Sequence, residues 1–137
     1  MTGEGSEVQA QMCERAITWC EQSGDRKSLA IALRAQGRMY MEQQNWRLAE
    51  DNLRQALQRC EVLDLAWERA NTLYCLGLLY RQRASSPITD KASRRNADRG
   101  RARYHFEQAL GFYESLGAAP SIDRVRLMLV QDTTVTV

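Results

Sequence analysis

Residues 29–40 read Leu29-Ala30-Ile31-Ala32-Leu33-Arg34-Ala35-Gln36-Gly37-Arg38-Met39-Tyr40, and forty residues later Ala70, Leu73, Gly77 and Tyr80 repeat the spacing of Ala30, Leu33, Gly37 and Tyr40. Apolar residues three and four apart lie on one face of an α-helix. The register extends backwards, since at the same offset Ala16 pairs with Ala56, Cys20 with Cys60 and Glu21 with Glu61. At an offset of 53, Ala49 pairs with Ala102, Gln55 with Gln108, Ala56 with Ala109, Leu57 with Leu110, Glu61 with Glu114 and Leu63 with Leu116. Such self-similarity at a fixed period marks a repeat architecture, and the thirteen extra residues are an insertion between Tyr80 and Ala102.

Each unit reads as a pair of helices. The first repeat spans 29–63 and the second 67–116, the latter broken by an insertion at about 84–97 whose polar, aromatic-free composition is expected to make a mobile loop. In the first repeat Asn45 caps a second helix whose inner face is Leu48, Ala49, Leu53, Ala56 and Leu57. A leading helix over 6–22 turns Met12, Cys13, Ala16 and Ile17 inward, with Ser6 and Gln9 spaced as a capping box. After Gly117 and Pro120 a capping helix covers 121–130, and the β-branched tail 131–137 is expected to fray or to offer Val137 to a partner's sheet edge. The expected fold is all-α: one domain over 1–137, about six helices in antiparallel hairpins, stacked as an α-α superhelix.

Composition narrows function mainly by exclusion. Hydrophobic residues make up 44% and charged residues 26%, with two prolines, which suits a globular helical chain. There is no run of 18 apolar residues and no basic-then-apolar leader, so a cytoplasmic setting without a membrane span is expected. Cys13, Cys20, Cys60 and Cys75 form no C-x-x-C pair, and His105 is the single histidine, so no metal site or cofactor is expected. His105 has no Ser or Cys at a recognisable spacing, and no glycine loop stands ready for phosphate, so the chain does not read as an enzyme. The cysteines read as small apolar core residues, and Trp19, Trp46 and Trp67 as core or hairpin-edge packing. Charge is uneven: 81–103 carries eight basic residues against Asp90 and Asp98, in a chain whose net charge is +2.

The two units, Leu33-x-x-Gln36-Gly37-x-x-Tyr40 with Ala49-x-x-x-Leu53 and Ala56, and Leu73-x-x-Leu76-Gly77-x-x-Tyr80 with Ala102-x-x-x-Phe106 and Ala109, resemble the tetratricopeptide repeat pattern across roughly residues 8 to 130. Small residues at Gly37, Gly77, Ala49 and Ala102 would let paired helices approach, with Tyr40 and Tyr80 filling the wedge beside them. The period departs from the usual 34 residues and lacks the closing proline. Six extra residues lengthen the helices by about a turn and a half. The helix ends Ala16-Ile17-x-x-x-Glu21-x-x-Gly24-Asp25 and Ala109-Leu110-x-x-x-Glu114-x-Leu116-Gly117 are similar to the long-repeat subclass of signalling adaptors and of the sensor arrays in bacterial signalling ATPases and transcription activators.

The resemblance implies a non-catalytic module that binds a partner peptide or protein in a concave groove lined by first helices. Carried onto this sequence, that surface is Arg34, Arg38 and Met41, then Asn71, Tyr74, Leu78 and Arg81, then Arg124. The arginines suit an acidic or C-terminal peptide, because a guanidinium forks onto a carboxylate. The same arginines could equally form a solvated face, and self-association through the array's ends is a further expectation. The alternative function is a nucleic-acid or anionic-surface contact through the basic insertion, with Lys91, Arg94, Arg95 and Arg99 as carriers. No aromatic residue interleaves these cations between 84 and 97, which removes a base-stacking platform.

Overall fold

A computed structural model describes residues 3–87 and 91–135. It is all-α, with six helices: α1 (Gly3–Ser23), α2 (Arg26–Glu42), α3 (Trp46–Val62), α4 (Ala66–Ala84), α5 (Ala92–Leu116) and α6 (Ala119–Val135). The chain divides into two compact units, Met1–Asp64 and Leu65–Val137. Each contains three helices, one antiparallel hairpin and one flanking helix.

In the first unit α2 packs against both α3 and α1. The α2/α3 crossing is closed by Gly37, where an added Cβ would lie 2.8 Å from Leu53 Cγ and 3.3 Å from the Ala49 carbonyl oxygen. Ala49, Leu53 and Ala56 are fully buried there. Asp25 caps α2, its carboxylate accepting from the Ser28 backbone N–H at 3.0 Å and the Ser28 hydroxyl at 2.7 Å. Those bonds hold its carboxyl below the usual carboxylate range. Asn45 caps α3 by accepting from Leu48 N–H at 3.5 Å. Cys20, Leu29, Leu33 and Ala56 form a small core on which Ile17 packs.

The second unit repeats the hairpin with larger side chains. A Cβ on Gly77 would fall 2.6 Å from the ring of Phe106, so the α4/α5 approach also requires a glycine. Tyr80, Phe106 and Tyr113 are completely buried, as are Ala109 and Val125, the last on α6 where it packs on α5. The joints have a common form. Gly24, Gln44, Asp64 and Gly117 each sit at positive φ, so a single left-handed residue ends a helix each time.

Several expectations are corrected. Ser6 lies inside α1, which runs from Gly3, so it is not a cap. Met12 is 66% exposed and Ala16 is exposed, because α1 packs only on α2 and uses Ile17 and Cys20 to do so. Trp19 is 62% and Trp67 47% exposed, although Trp67 edges onto Tyr113 at 5.5 Å between ring centroids. The insertion is not a loop over 84–97: α4 continues to Ala84 and α5 begins at Ala92. Of this segment, residues 88–90 lie outside the described ones. The tail continues α6 to Val135 instead of fraying after 130, and the expectation for Val137 lies outside the described residues.

The Gly77 contact makes a definite prediction. Alanine gains about 1 kcal/mol of helix propensity over glycine, against about 1–3 kcal/mol for overpacking a buried ring. Gly77→Ala should therefore lower stability by about 1 kcal/mol in urea unfolding. Combining it with Phe106→Leu should cost less than the two single changes added, since the smaller side chain makes room. A Gly77→Ala protein as stable as the wild type would show that this crossing does not limit the fold.

Candidate partner-binding surface

In the first unit the expected row lies along α2. Arg38 is exposed, Arg34 is half-buried one turn before it, and Ile31 is 36% exposed. Met41 does not belong with them, for it is buried at 5% exposure. The apolar period of α2 turns it inward with Leu33 and Gly37.

In the second unit the expected residues are together but already engaged. Asn71 accepts a hydrogen bond from the Tyr113 hydroxyl. Arg81 donates to Gln131 Oε1 at 2.8 Å and to the Met128 sulfur on α6. The Arg124 guanidinium lies over the Tyr74 ring, 4.5 Å from its centroid, and Tyr74 is in turn tilted against Phe106 at 5.7 Å. Leu78 is half-buried between them in sequence. Of this set Arg124 is exposed, and its planar group keeps in-plane N–H donors even when one face is stacked.

The basic segment is organised by a residue that sequence reasoning counted only as a charge. Asp98 is 3% exposed and accepts from Arg83 Nε at 2.9 Å and Arg83 Nη2 at 2.8 Å, a bidentate pair, with Arg101 at 2.9 Å as a third donor. Burial pushes the carboxyl up, but the hydrogen bonds and charges of the two arginines outweigh it and hold the carboxyl below its ordinary value. Arg83 and Arg101 also lie 5.2 and 5.9 Å from the Tyr80 ring centroid. One clue was available: Asp98 stands three residues before Arg101 on a helix, within pairing reach. Lys91, Arg94 and Arg99 remain exposed, and Arg95 is half-buried.

His105 is buried at 8% exposure, with Nδ1 2.7 Å from the Arg101 carbonyl oxygen and its ring against Tyr80 and Tyr104 at 5.3 and 5.4 Å. That is a packing position. Burial pushes the Cys13 thiol up, away from thiolate reactivity, and Cys20, Cys60 and Cys75 are buried and form no disulfide. Among the described residues no group of three or more His, Cys, Asp or Glu side chains is placed to hold a metal ion, and no helix is long and apolar enough to cross a membrane. No protein-family model matches the chain, and no curated protein matches it.

The Asp98 clamp carries a pH signature. Its folded pKa is depressed, so its contribution is complete above the unfolded value of about 3.9 and is lost as pH falls through the folded value. Asp98→Asn should cost about 2 kcal/mol at neutral pH, less than a fully buried pair because Arg83 keeps some access to water. The variant should also destabilise less than wild type between neutral pH and pH 3, read from thermal melts. Parallel curves for the wild type and the D98N variant over that range would remove Asp98 as the anchor of this segment.

Proposed function

We propose that the chain is a non-catalytic protein-interaction module that takes an acidic or C-terminal peptide segment of a partner in a regulatory assembly. Each unit carries a candidate face of its own: Arg34 and Arg38 on α2 in the first, and Leu78 on α4 with Arg124 on α6 in the second. The observation that carries this reading is the Arg124–Tyr74 stack. Contact with the ring restrains an exposed guanidinium, so it has less side-chain freedom left to lose when a carboxylate binds. Arg34 and Arg38, one helical turn apart, offer the first unit a comparable cationic pair. Closely crossed hairpins supply the rigid elements that such side chains need.

The nucleic-acid alternative has less support. Within the basic segment Arg83 and Arg101 are held on Asp98, Arg103 on Glu107 at 3.0 Å, and Arg81 on Gln131. Those pairings remove half of the segment's cations from a phosphate backbone, leaving the exposed Lys91, Arg94 and Arg99 as the principal carriers.

The test is fluorescence anisotropy with labelled acidic peptides bearing a free C-terminal carboxylate, measured beside amidated and lysine-substituted versions. Arg34→Glu/Arg38→Glu and Arg124→Glu should each weaken capture tenfold or more, a loss of about 1.4 kcal/mol, with circular dichroism unchanged. Peptides held equally well by all three proteins would defeat this assignment of the surface.

A further inference from the structure

Every helix of the two hairpins has a counterpart outside them. α2, α4 and α6 begin at Arg26, Ala66 and Ala119, offsets of 40 and 53. These are the offsets that relate α3 to α1 and to α5 in the sequence repeat. By position, then, α6 is a first helix and α1 a second helix. In both hairpins a first helix presents a glycine to a large side chain of its second helix: Gly37 to Leu53, and Gly77 to Phe106.

The same offsets locate the corresponding faces of α1 and α6. On α1, Met12, Cys13 and Ala16 hold the places of Asn52, Leu53 and Ala56. On α6, Arg126 and Val130 hold the places of Leu73 and Gly77. All five counterparts are buried in their hairpins. In contrast Met12 is 66% and Val130 60% exposed, Ala16 and Arg126 are exposed, and Cys13 is half-buried.

We infer that these two faces are complementary and that the chain associates head to tail with a second copy, α6 of one copy closing on α1 of the next as a further hairpin. Two observations select a copy of this chain in that orientation. The bulk at the crossing is exchanged: where the hairpins set glycine against leucine or phenylalanine, α6 brings Val130 and α1 brings the small Cys13, so the pair fills a similar space. The charges also match. The sequence of α1 carries Glu7, Glu14 and Glu21 against Arg15, whereas α6 is neutral as a whole, with Arg124 and Arg126 against Asp123 and Asp132, and places Arg126 on the face that holds Val130. The acidic α1 meeting Arg126 on this face of α6 is favoured, and α1 meeting α1 across a two-fold axis would set acid on acid. Because the two contact faces differ, the association is heterologous and can continue beyond two copies.

Sedimentation equilibrium on the full chain tests this with two variants, Met12→Glu on α1 and Val130→Glu on α6. Both positions are exposed, and circular dichroism checks that each variant folds. Wild-type mass should rise with concentration from 15.7 kDa. Each variant alone should stay at that mass. An equimolar mixture should give a capped dimer, because the Met12→Glu chain keeps an intact α6 and the Val130→Glu chain an intact α1. The inference is overturned if the wild type stays monomeric at its solubility limit, if either variant self-associates alone, or if the mixture remains monomeric.

Discussion

The distance between helix axes at two crossings is the constraint on which both units depend. At Gly37 and Gly77 the absence of a side chain is itself the structural feature, since a Cβ at either position would lie within 3 Å of Leu53 or Phe106. Glycine inside a helix is unfavourable by about 1 kcal/mol relative to alanine. The chain accepts that at matched positions because a large residue of the neighbouring helix then seats directly on the backbone. In the second unit this close approach brings the aromatic residues together: Phe106 meets Tyr74, Tyr80 meets His105, and Tyr113 reaches both Trp67 and Asn71.

The Asp98 clamp explains why thirteen added residues leave the second hairpin in register. A polar, aromatic-free stretch has too little apolar area to order itself by burial. Here order comes from a carboxylate on α5 gripped by Arg83 near the end of α4, with Arg101 one turn along. The clamp closes the connection before the repeat-matched residues Ala102, Phe106 and Ala109 begin. A charge count alone, which weighs eight cations against two anions, hides the fact that one of those anions binds two of the cations.

The helices and their pairing were legible because they are written as a period: the same small and large residues return at 40 and 53, and each return marks a crossing. The fate of individual polar side chains was not. Asn71, Arg81 and Arg124 fell in the expected row, yet each meets a partner on another helix, forty or more residues away in sequence, that no local pattern announces. Met41 was misplaced by reading a row too far along the helix, where the face has turned inward. Met12, Ala16 and Trp19 were misjudged because a repeat assigns the same face to every helix, whereas burial also requires a neighbour on that face. The insertion was misread because its composition describes how it would behave alone, not when held by Arg83.

The joints have a consequence for how the chain can change in length. Helix ends at Gly24, Gln44 and Asp64 are evenly spaced, and each helix stops at a single left-handed residue. Adding one residue inside any of these helices would rotate every later side chain by about 100° and carry the glycine notch off its crossing. The passage from α4 to α5 is different: Ser86, which follows the Ser85 cap, does not take positive φ as Gln44 and Asp64 do, and the clamp holds the connection downstream. Insertions and deletions in homologous chains should therefore accumulate between Ser85 and Lys91, while the other turns keep a fixed count.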